Sequence, residues 1–285
     1  MARIDALSIE LQGQVGKDKL AEEYGKVIAN VMANTLSTRL KNQNLSGQPN
    51  AGTVEAKRFS NVSGNAYGTA RTASAGQKIK ATPVVISIND DTEYLSEVEE
   101  KDLMMYGVGG LIERQMGEHQ RGLEAELEDK FFSEAVSAGT SFTATGTPSI
   151  EDEIEEAIET VEKTKNSFVR GVPRNMINVV MSNEYYGKLR NKINSISNSN
   201  GLGQVKNYEE GIFNNAKVFS SVFLPEGINY IVMIDGAVAQ PIRTSEYSPK
   251  KVEFSDATAF GFFAYKGTKA VMPDLIIYNG SVASL

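Results

Sequence analysis

Histidine and cysteine, the side chains most often used in catalytic and metal sites, are almost absent from this chain. His119 is the single histidine and there is no cysteine. This excludes two-histidine and thiolate metal sites, thiol nucleophiles and disulfides. His119 lies between Glu118 and Gln120 in a stretch with helical periodicity, so we expect it to be solvated or to make a surface contact. The sequence therefore predicts no cofactor and no metal ion.

A cluster of glycines, Gly107-Val108-Gly109-Gly110, superficially resembles a phosphate-binding loop. It lacks the third spaced glycine of a dinucleotide-binding motif, follows no strand of a βα unit and lies inside a helical pattern. The motifs of P-loop proteins and of α/β-hydrolases do not occur. We therefore exclude a nucleotide site at this cluster.

Carboxylates are abundant, with 36 Asp and Glu residues, and counting alone leaves a paired-carboxylate hydrolase open. Most of these acids fall on helix faces, where they usually face solvent, and there is no tryptophan to stack on a sugar. Residues 89–93 could hold Ca²⁺, but they lack the spacing and the glycine of an EF-hand loop. We interpret them as a strand end followed by a helix N-terminus. No catalytic constellation emerges, which favours a structural protein.

The longest element is predicted at residues 97–138, which contain no proline. Apolar residues recur there mostly three, four or seven positions apart: Val98, Met105, Val108, Ile112, Met116, Leu123, Leu127, Phe131 and Ala135. This spacing predicts a helix with one narrow apolar stripe, a rod of roughly 60 Å at ~1.5 Å per residue. Gly107, Gly109 and Gly110 predict either a break between two helices or a built-in bend.

The predicted rod is acidic. Residues 93–134 contain twelve Asp and Glu against four Lys and Arg, a local balance of −8. One interpretation is a solvated acidic face, and the other is a surface for a basic partner. In the second case the acidic contacts would be Glu113, Glu118, Glu124 and Glu128.

A basic hairpin precedes the rod. Residues 54–59 alternate like a strand, residues 60–77 are small and polar, and residues 78–88 return as a second strand. A two-stranded ribbon is marginally stable alone, so we expect the hairpin to lie on the acidic rod of a neighbouring chain. Glu55 is its one acid against five basic residues, a balance of +4: Lys57, Arg58, Arg71, Lys78 and Lys80.

The rest of the chain mixes helices and strands. Helical periodicity occurs in residues 17–41 and 149–166, and the Asn-, Ser- and Gly-rich residues 191–215 predict a mobile loop. Strands are predicted at 175–182, 216–220, 230–234, 237–242, 251–254, 259–265 and 270–278. The fold class is therefore α+β.

No apolar run is long enough to cross a membrane, and the net charge of −7 argues against general nucleic-acid binding.

This order of elements resembles the major capsid proteins of tailed bacteriophages, which have the Hong Kong 97-like fold. The similar stretches are the open hairpin, the long rod, the turn Leu224-Pro225-Glu226-Gly227 after a strand, and the closing strands. The resemblance implies an N-terminal arm and helix (1–50), an extended hairpin or E-loop (51–90), a spine helix of the P domain (91–139), an A domain (140–248) and closing P-domain strands (249–285).

The resemblance also implies a function. Such a protein is not an enzyme and self-assembles as pentamers and hexamers into an icosahedral phage head enclosing double-stranded DNA, which it contacts only non-specifically. Scaffolding and portal proteins are implied partners, with a decoration protein as a further one. Assembly in the host cytoplasm and a final location in the virion follow. The glycines at 107, 109 and 110 would let the spine bend as the shell expands.

Two other functions remain open. An encapsulin-like nanocompartment has the same architecture and encloses a cargo enzyme instead of DNA. A carboxylate-dependent hydrolase with a mobile lid at residues 195–215 belongs to a different class. It would be a compact monomer or dimer with a perturbed Asp/Glu pair in a cleft.

Overall fold

A computed structural model describes residues 26, 30–31, 35–45, 52–63, 78–99, 101, 108–195 and 211–281. The helices in this part of the chain are α1 (Leu36–Leu40), α2 (Val108–Ala138), α3 (Ile150–Glu162) and α4 (Asn183–Ser195). The strands are β1 (Thr53–Phe59), β2 (Ala81–Ser87), β3 (Asp90–Val98), β4 (Thr140–Ser141), β5 (Ile177–Ser182), β6 (Gly211–Phe213), β7 (Ala216–Ser221), β8 (Ile228–Ile234), β9 (Val238–Ala239), β10 (Ile242–Lys251), β11 (Thr258–Lys266), β12 (Lys269–Ala270) and β13 (Ile276–Gly280). The α+β prediction is confirmed.

The larger sheet has six strands in the order β4-β13-β8-β5-β7-β6. Its central strands β5 and β8 are almost continuously apolar and buried, as expected for strands covered on both faces. Helix α3 packs on this core through Ile154, Ile158 and Val161, all fully buried and spaced four and three residues apart. Each such side chain contributes about 1.5–3 kcal/mol when removed from water.

The smaller sheet has three antiparallel strands in the order β10-β11-β3. Alternate residues of β11, Phe260, Phe262 and Ala264, form one core with Met116 and Leu123 of α2. The C-terminal part of α2 enters the core of the larger sheet through Phe131, Phe132, Ala135 and Val136. Helix α2 is therefore the spine that joins the two cores.

The predicted start of the long helix is wrong. Residues 90–98 form strand β3, which pairs with β11 over nine residues, and α2 begins at Val108. The cause is the acidic composition of this segment. Its acids resemble a helix N-terminus, whereas Asp91, Glu93 and Glu97 occupy the exposed alternate positions of a strand. The 31 residues of α2 give a rod of about 46 Å, shorter than predicted.

The glycine bend stays a prediction. Gly109 and Gly110 lie in the first turn of α2, while Gly107 and residues 102–106 lie outside the described residues. The predicted mobile segment is described only up to Ser195 and from Gly211, and the arm at residues 1–16 also lies outside the described part.

Two strand predictions near the C-terminus are corrected. β10 ends at Lys251 and a turn replaces the strand predicted at 251–254, because β10 and β11 are joined by a tight connection. The strand predicted at 270–278 is divided by a 3₁₀ turn at Pro273–Leu275, where proline cannot continue a ladder. The predicted domain boundary at 248 falls within β10, and β13 pairs with β8 in the larger sheet.

None of the described helices combines the length and the apolar character needed to cross a bilayer.

Candidate functional site

The predicted hairpin is present as β1 and β2, which pair antiparallel over seven residues and form a sheet of their own. Ala56 and Ile86 on one face are buried against Ala239 and Val271. The other face is open. It exposes 59% of Phe59 and 52% of Val85, and Ile79, just before β2, is 79% exposed. An apolar face that the described part of the chain leaves uncovered is typical of an interaction surface.

The hairpin is anchored to the body of its own chain by Arg58. The Arg58 guanidinium donates to both carboxylate oxygens of Asp274, at 2.5 and 2.8 Å, and lies 4.5 Å from the centre of the Phe168 ring. Asn166 donates a further hydrogen bond to Asp274 at 2.5 Å. Next to this group, the Asn61 backbone amide donates to the carbonyl of Ser167 at 2.7 Å. Arg58, predicted to contact a neighbouring chain, is thus held within its own.

The charge on Asp274 is stabilised by these contacts. Burial raises the pKa of the Asp274 carboxyl, but the hydrogen bonds from Arg58 and Asn166 outweigh it and hold that pKa below its usual value. The anchor is a bidentate, charge-assisted pair, the geometry in which arginine binds carboxylates most strongly.

The other basic residues of the hairpin are differently placed. Lys57, Lys78 and Lys80 are exposed and make no ion pair with any residue that the structure describes. Lys78 and Lys80 line an open, polar pocket of about 850 Å³ together with Arg170. Arg71 lies outside the described residues.

The acidic contacts predicted on the spine helix are mostly engaged. Glu118 is exposed and pairs with Arg121 at 2.8 Å, while half-buried Glu124 accepts a hydrogen bond from Gln120 at 2.8 Å. The side chain of Glu113 lies outside the described residues. Glu118 therefore remains a surface acid on α2, although it already has a partner.

The prediction that Glu128 is an acidic contact on the helix surface is corrected by the structure. Glu128 is 3% exposed, and its Oε1 accepts the backbone amide of Ser37 at 2.8 Å. Burial raises the pKa of Glu128. The segment containing α1 covers this part of α2, so Glu128 is not available to a partner at the surface.

Sequence reasoning missed the acidic row on β3. Asp91, Glu93 and Glu97 are exposed on one face of this strand, and no ion pair within the described chain engages them. Their spacing of two and four residues is the strand period and could have revealed them. Three of the exposed acids without an ion pair in the described residues thus form a row on β3.

A buried polar cluster fixes α2 on the small sheet. Lys266 is fully buried and its ammonium donates to Glu126 at 2.7 Å and to Thr92 at 2.6 Å, while the Tyr94 hydroxyl donates to Glu126 at 2.8 Å. Burial raises the pKa of Glu126, but these hydrogen bonds outweigh it and lower the pKa. Removing one partner of such a pair leaves an uncompensated buried charge, so the cluster sets the position of the spine.

His119 also lies between α2 and the small sheet, and the prediction that it is exposed is wrong. It is 7% exposed, its Nε2 lies 2.7 Å from Ser96 Oγ, and its ring centre is 6.1 Å from that of Phe262. Burial lowers the pKa of His119. The ring packs against the apolar sheet face as a core histidine.

The hydrolase alternative requires an accessible pair of perturbed carboxylates. Glu124 and Glu128 line a pocket of about 400 Å³, and Glu128 is the acid whose pKa burial raises. Glu128 Oε2 is shielded from solvent and has no hydrogen-bond partner, and Oε1 is held by a backbone amide. This geometry does not let Glu128 exchange a proton with a bound substrate. Within the described residues, no three His, Cys, Asp or Glu side chains converge on a metal position.

Solved structures similar to this chain match it over most of its length. The capsid structure of cyanophage P-SCSP1u matches with a TM-score of 0.62 and 14% identity, covering 88% of this chain and 89% of that chain. The capsid of Ralstonia phage GP4 matches with a TM-score of 0.60 and 12% identity, covering 86% and 87%. A virus-like particle from Pyrococcus furiosus matches with a TM-score of 0.55 and 11% identity, covering 89% and 96%. No protein-family model and no curated protein matches the chain.

The chain has the fold of a phage capsid protein. This confirms the resemblance seen in the order of elements, the Hong Kong 97-like fold. The hairpin and the long helix on which the resemblance rests are present as β1–β2 and α2. The outer hairpin face and the acidic row on β3, which have no partner among the described residues, are therefore candidate functional surfaces.

Proposed function

We propose that this chain is the major capsid protein of a tailed bacteriophage, which self-assembles into an icosahedral head around double-stranded DNA. The observation that carries the proposal is the capsid fold itself, shared over 88% of this chain with a cyanophage capsid structure. Pentamers and hexamers of one chain would form the shell, with scaffolding, portal and decoration proteins as partners and the virion as location.

The charges support a contact between the hairpin of one copy and the small sheet of the next. Lys78 and Lys80 supply positive charge and the row on β3 supplies negative charge, and neither has an ion pair among the described residues. Exposed ion pairs contribute only ~0–1 kcal/mol each, so the open apolar face of the hairpin would supply most of the affinity. The charges would fix register and make assembly depend on salt.

A nanocompartment shell is the second candidate. It is favoured by the similarity to the virus-like particle from Pyrococcus furiosus, which covers 96% of that chain. Such a shell would use the same hairpin contacts but enclose a protein.

The two shell functions are separated by their contents. The chain would be expressed and purified, imaged by negative-stain electron microscopy, and its particles treated with nuclease before extraction. Closed shells support both candidates; nuclease-protected DNA in particles from the native host supports the phage head, and a stoichiometric co-purified protein supports the nanocompartment. A compact monomer that hydrolyses a glycoside or ester would overturn both.

A further inference from the structure

The turn between β10 and β11 projects a phenylalanine completely into solvent. Phe254 is 108% exposed, more than any other large apolar side chain in the described residues. The turn beneath it is closed by hydrogen bonds from the amide of Val252 to the carbonyl of Ala257, at 2.9 Å, and from the amide of Ala257 to Ser255 Oγ, at 3.1 Å. The aromatic ring is thus held outward on a defined turn.

The backbone at Phe254 is strained as well. Its φ of +59° lies in the left-handed region, which bulky residues rarely adopt. Glycine or asparagine would suit this turn better. Strain at a bulky residue that buries nothing in its own chain indicates a role outside it.

A pocket elsewhere on the same chain has matching chemistry. It measures about 640 Å³ and lies at the base of the hairpin, with an apolar wall formed by Leu45, Ala56, Phe59, Val271 and Met272. Its rim carries Glu55, Lys57 and Arg58. Arg58 is held by Asp274, whereas Glu55 and Lys57 have no ion pair within the described chain. The phenylalanine is flanked by Glu253 and Asp256, both exposed and without an ion pair among the described residues.

We propose that Phe254 of one copy inserts into the hairpin-base pocket of a second copy, with Glu253 or Asp256 facing Lys57. The proposal rests on the shell function above and names one contact of the shell. A knob and a socket at different places on one chain make a head-to-tail contact, the kind that continues from copy to copy and can close into rings. Buried aromatic anchors of this type dominate the energy of protein interfaces.

Phe254→Gly gives opposite effects on folding and assembly. It relieves the left-handed strain and removes no packing, so the melting temperature of the unassembled subunit should rise by about 1–5 °C. The concentration at which shells form should increase roughly tenfold or more. A ring that served only the stability of its own subunit would move both measurements in the same unfavourable direction.

A charge exchange tests the socket. Lys57→Glu and Glu253→Lys should each reduce shell formation, and the double variant should recover it, as read by sedimentation of assembled particles. If the wild type forms shells and these variants form them equally well, or if the double variant is no better than the single ones, the knob-and-socket contact is wrong while the shell function stands. If the wild type forms no shells under any condition, the proposed function itself fails.

Discussion

Arg58 anchors the hairpin to the body of the protein. Its guanidinium is held by Asp274 and by the face of Phe168, and only 15% of the side chain is exposed. Arg58→Ala should therefore lower the free energy of unfolding by about 1–3 kcal/mol, because Asp274 loses both charged hydrogen bonds. Thermal unfolding of unassembled subunits measures this. Lys80→Ala, at an exposed residue of the same hairpin without an ion pair in the described chain, is the control and should change it by less than about 0.5 kcal/mol. Equal effects of the two variants would contradict the anchor.

Asp274 gives this anchor a dependence on pH. Because its pKa is lower in the folded protein than in the unfolded chain, its contribution is complete above the unfolded pKa of about 4 and is lost as the pH falls through the folded value. The wild type should therefore lose stability on acidification below about pH 4, and Asp274→Asn should lose less over the same range. Parallel stability curves for the two proteins between pH 5 and pH 2.5 would be the contrary result.

The sequence identified the hairpin and its basic residues but could not distinguish Arg58 from Lys57. The two are neighbours of similar charge, and the partner of Arg58 lies 216 residues away. Strand alternation is the only local hint, since it directs Arg58 toward the body and Lys57 away from it. The burial of Glu128 was equally invisible, because it depends on a covering segment 91 residues away.

At the scale of elements, the spine helix and β3 meet through a close approach at Gly122. A Cβ atom there would lie 2.9 Å from Tyr94 Cε1, and the Tyr94 ring is held by stacking on Phe262 at 5.1 Å and by its bond to Glu126. Gly117 lies on the same helix, and a Cβ atom there would point into open space, with no heavy atom from outside the local helix backbone within 4 Å.

These two glycines form a matched pair for mutation. Gly117→Ala should raise the free energy of unfolding by up to about 1 kcal/mol, the difference in helix propensity. Gly122→Ala should lower it by about 1–3 kcal/mol in spite of the same propensity gain, because the Tyr94 ring must shift. Chemical denaturation of unassembled subunits compares them, and stabilisation by both alanines would show that the helix does not rest on Tyr94 as described.

The elements themselves were predictable where periodicity is unambiguous. β1, β2, α3, β5 and most of α2 follow directly from alternation or from the helical stripe. β3 could not be predicted in this way, because acidic residues at alternate positions also suit a helix N-terminus. Only its pairing with β11 decides between a strand and a helix start. The order of strands in the sheets depends on contacts far apart in sequence, and local patterns do not contain it.

In the whole molecule, charges without an ion pair among the described residues are expected to act between copies. Lys78→Glu together with Lys80→Glu should leave a folded subunit with an unchanged circular-dichroism spectrum but should suppress shell formation, because both positions would then face the acidic row on β3. Lys78→Arg with Lys80→Arg keeps the charge and should assemble normally. Normal shells from the glutamate variant would refute the charge contact.

The most direct test of the central claim is the particle mass of the purified wild-type chain, measured by light scattering over a range of salt concentrations. A shell protein should form rings of five or six subunits or closed shells of megadalton mass, and their formation should depend on salt because of the charged contacts. A uniform 31.0 kDa monomer at every protein and salt concentration would contradict this claim.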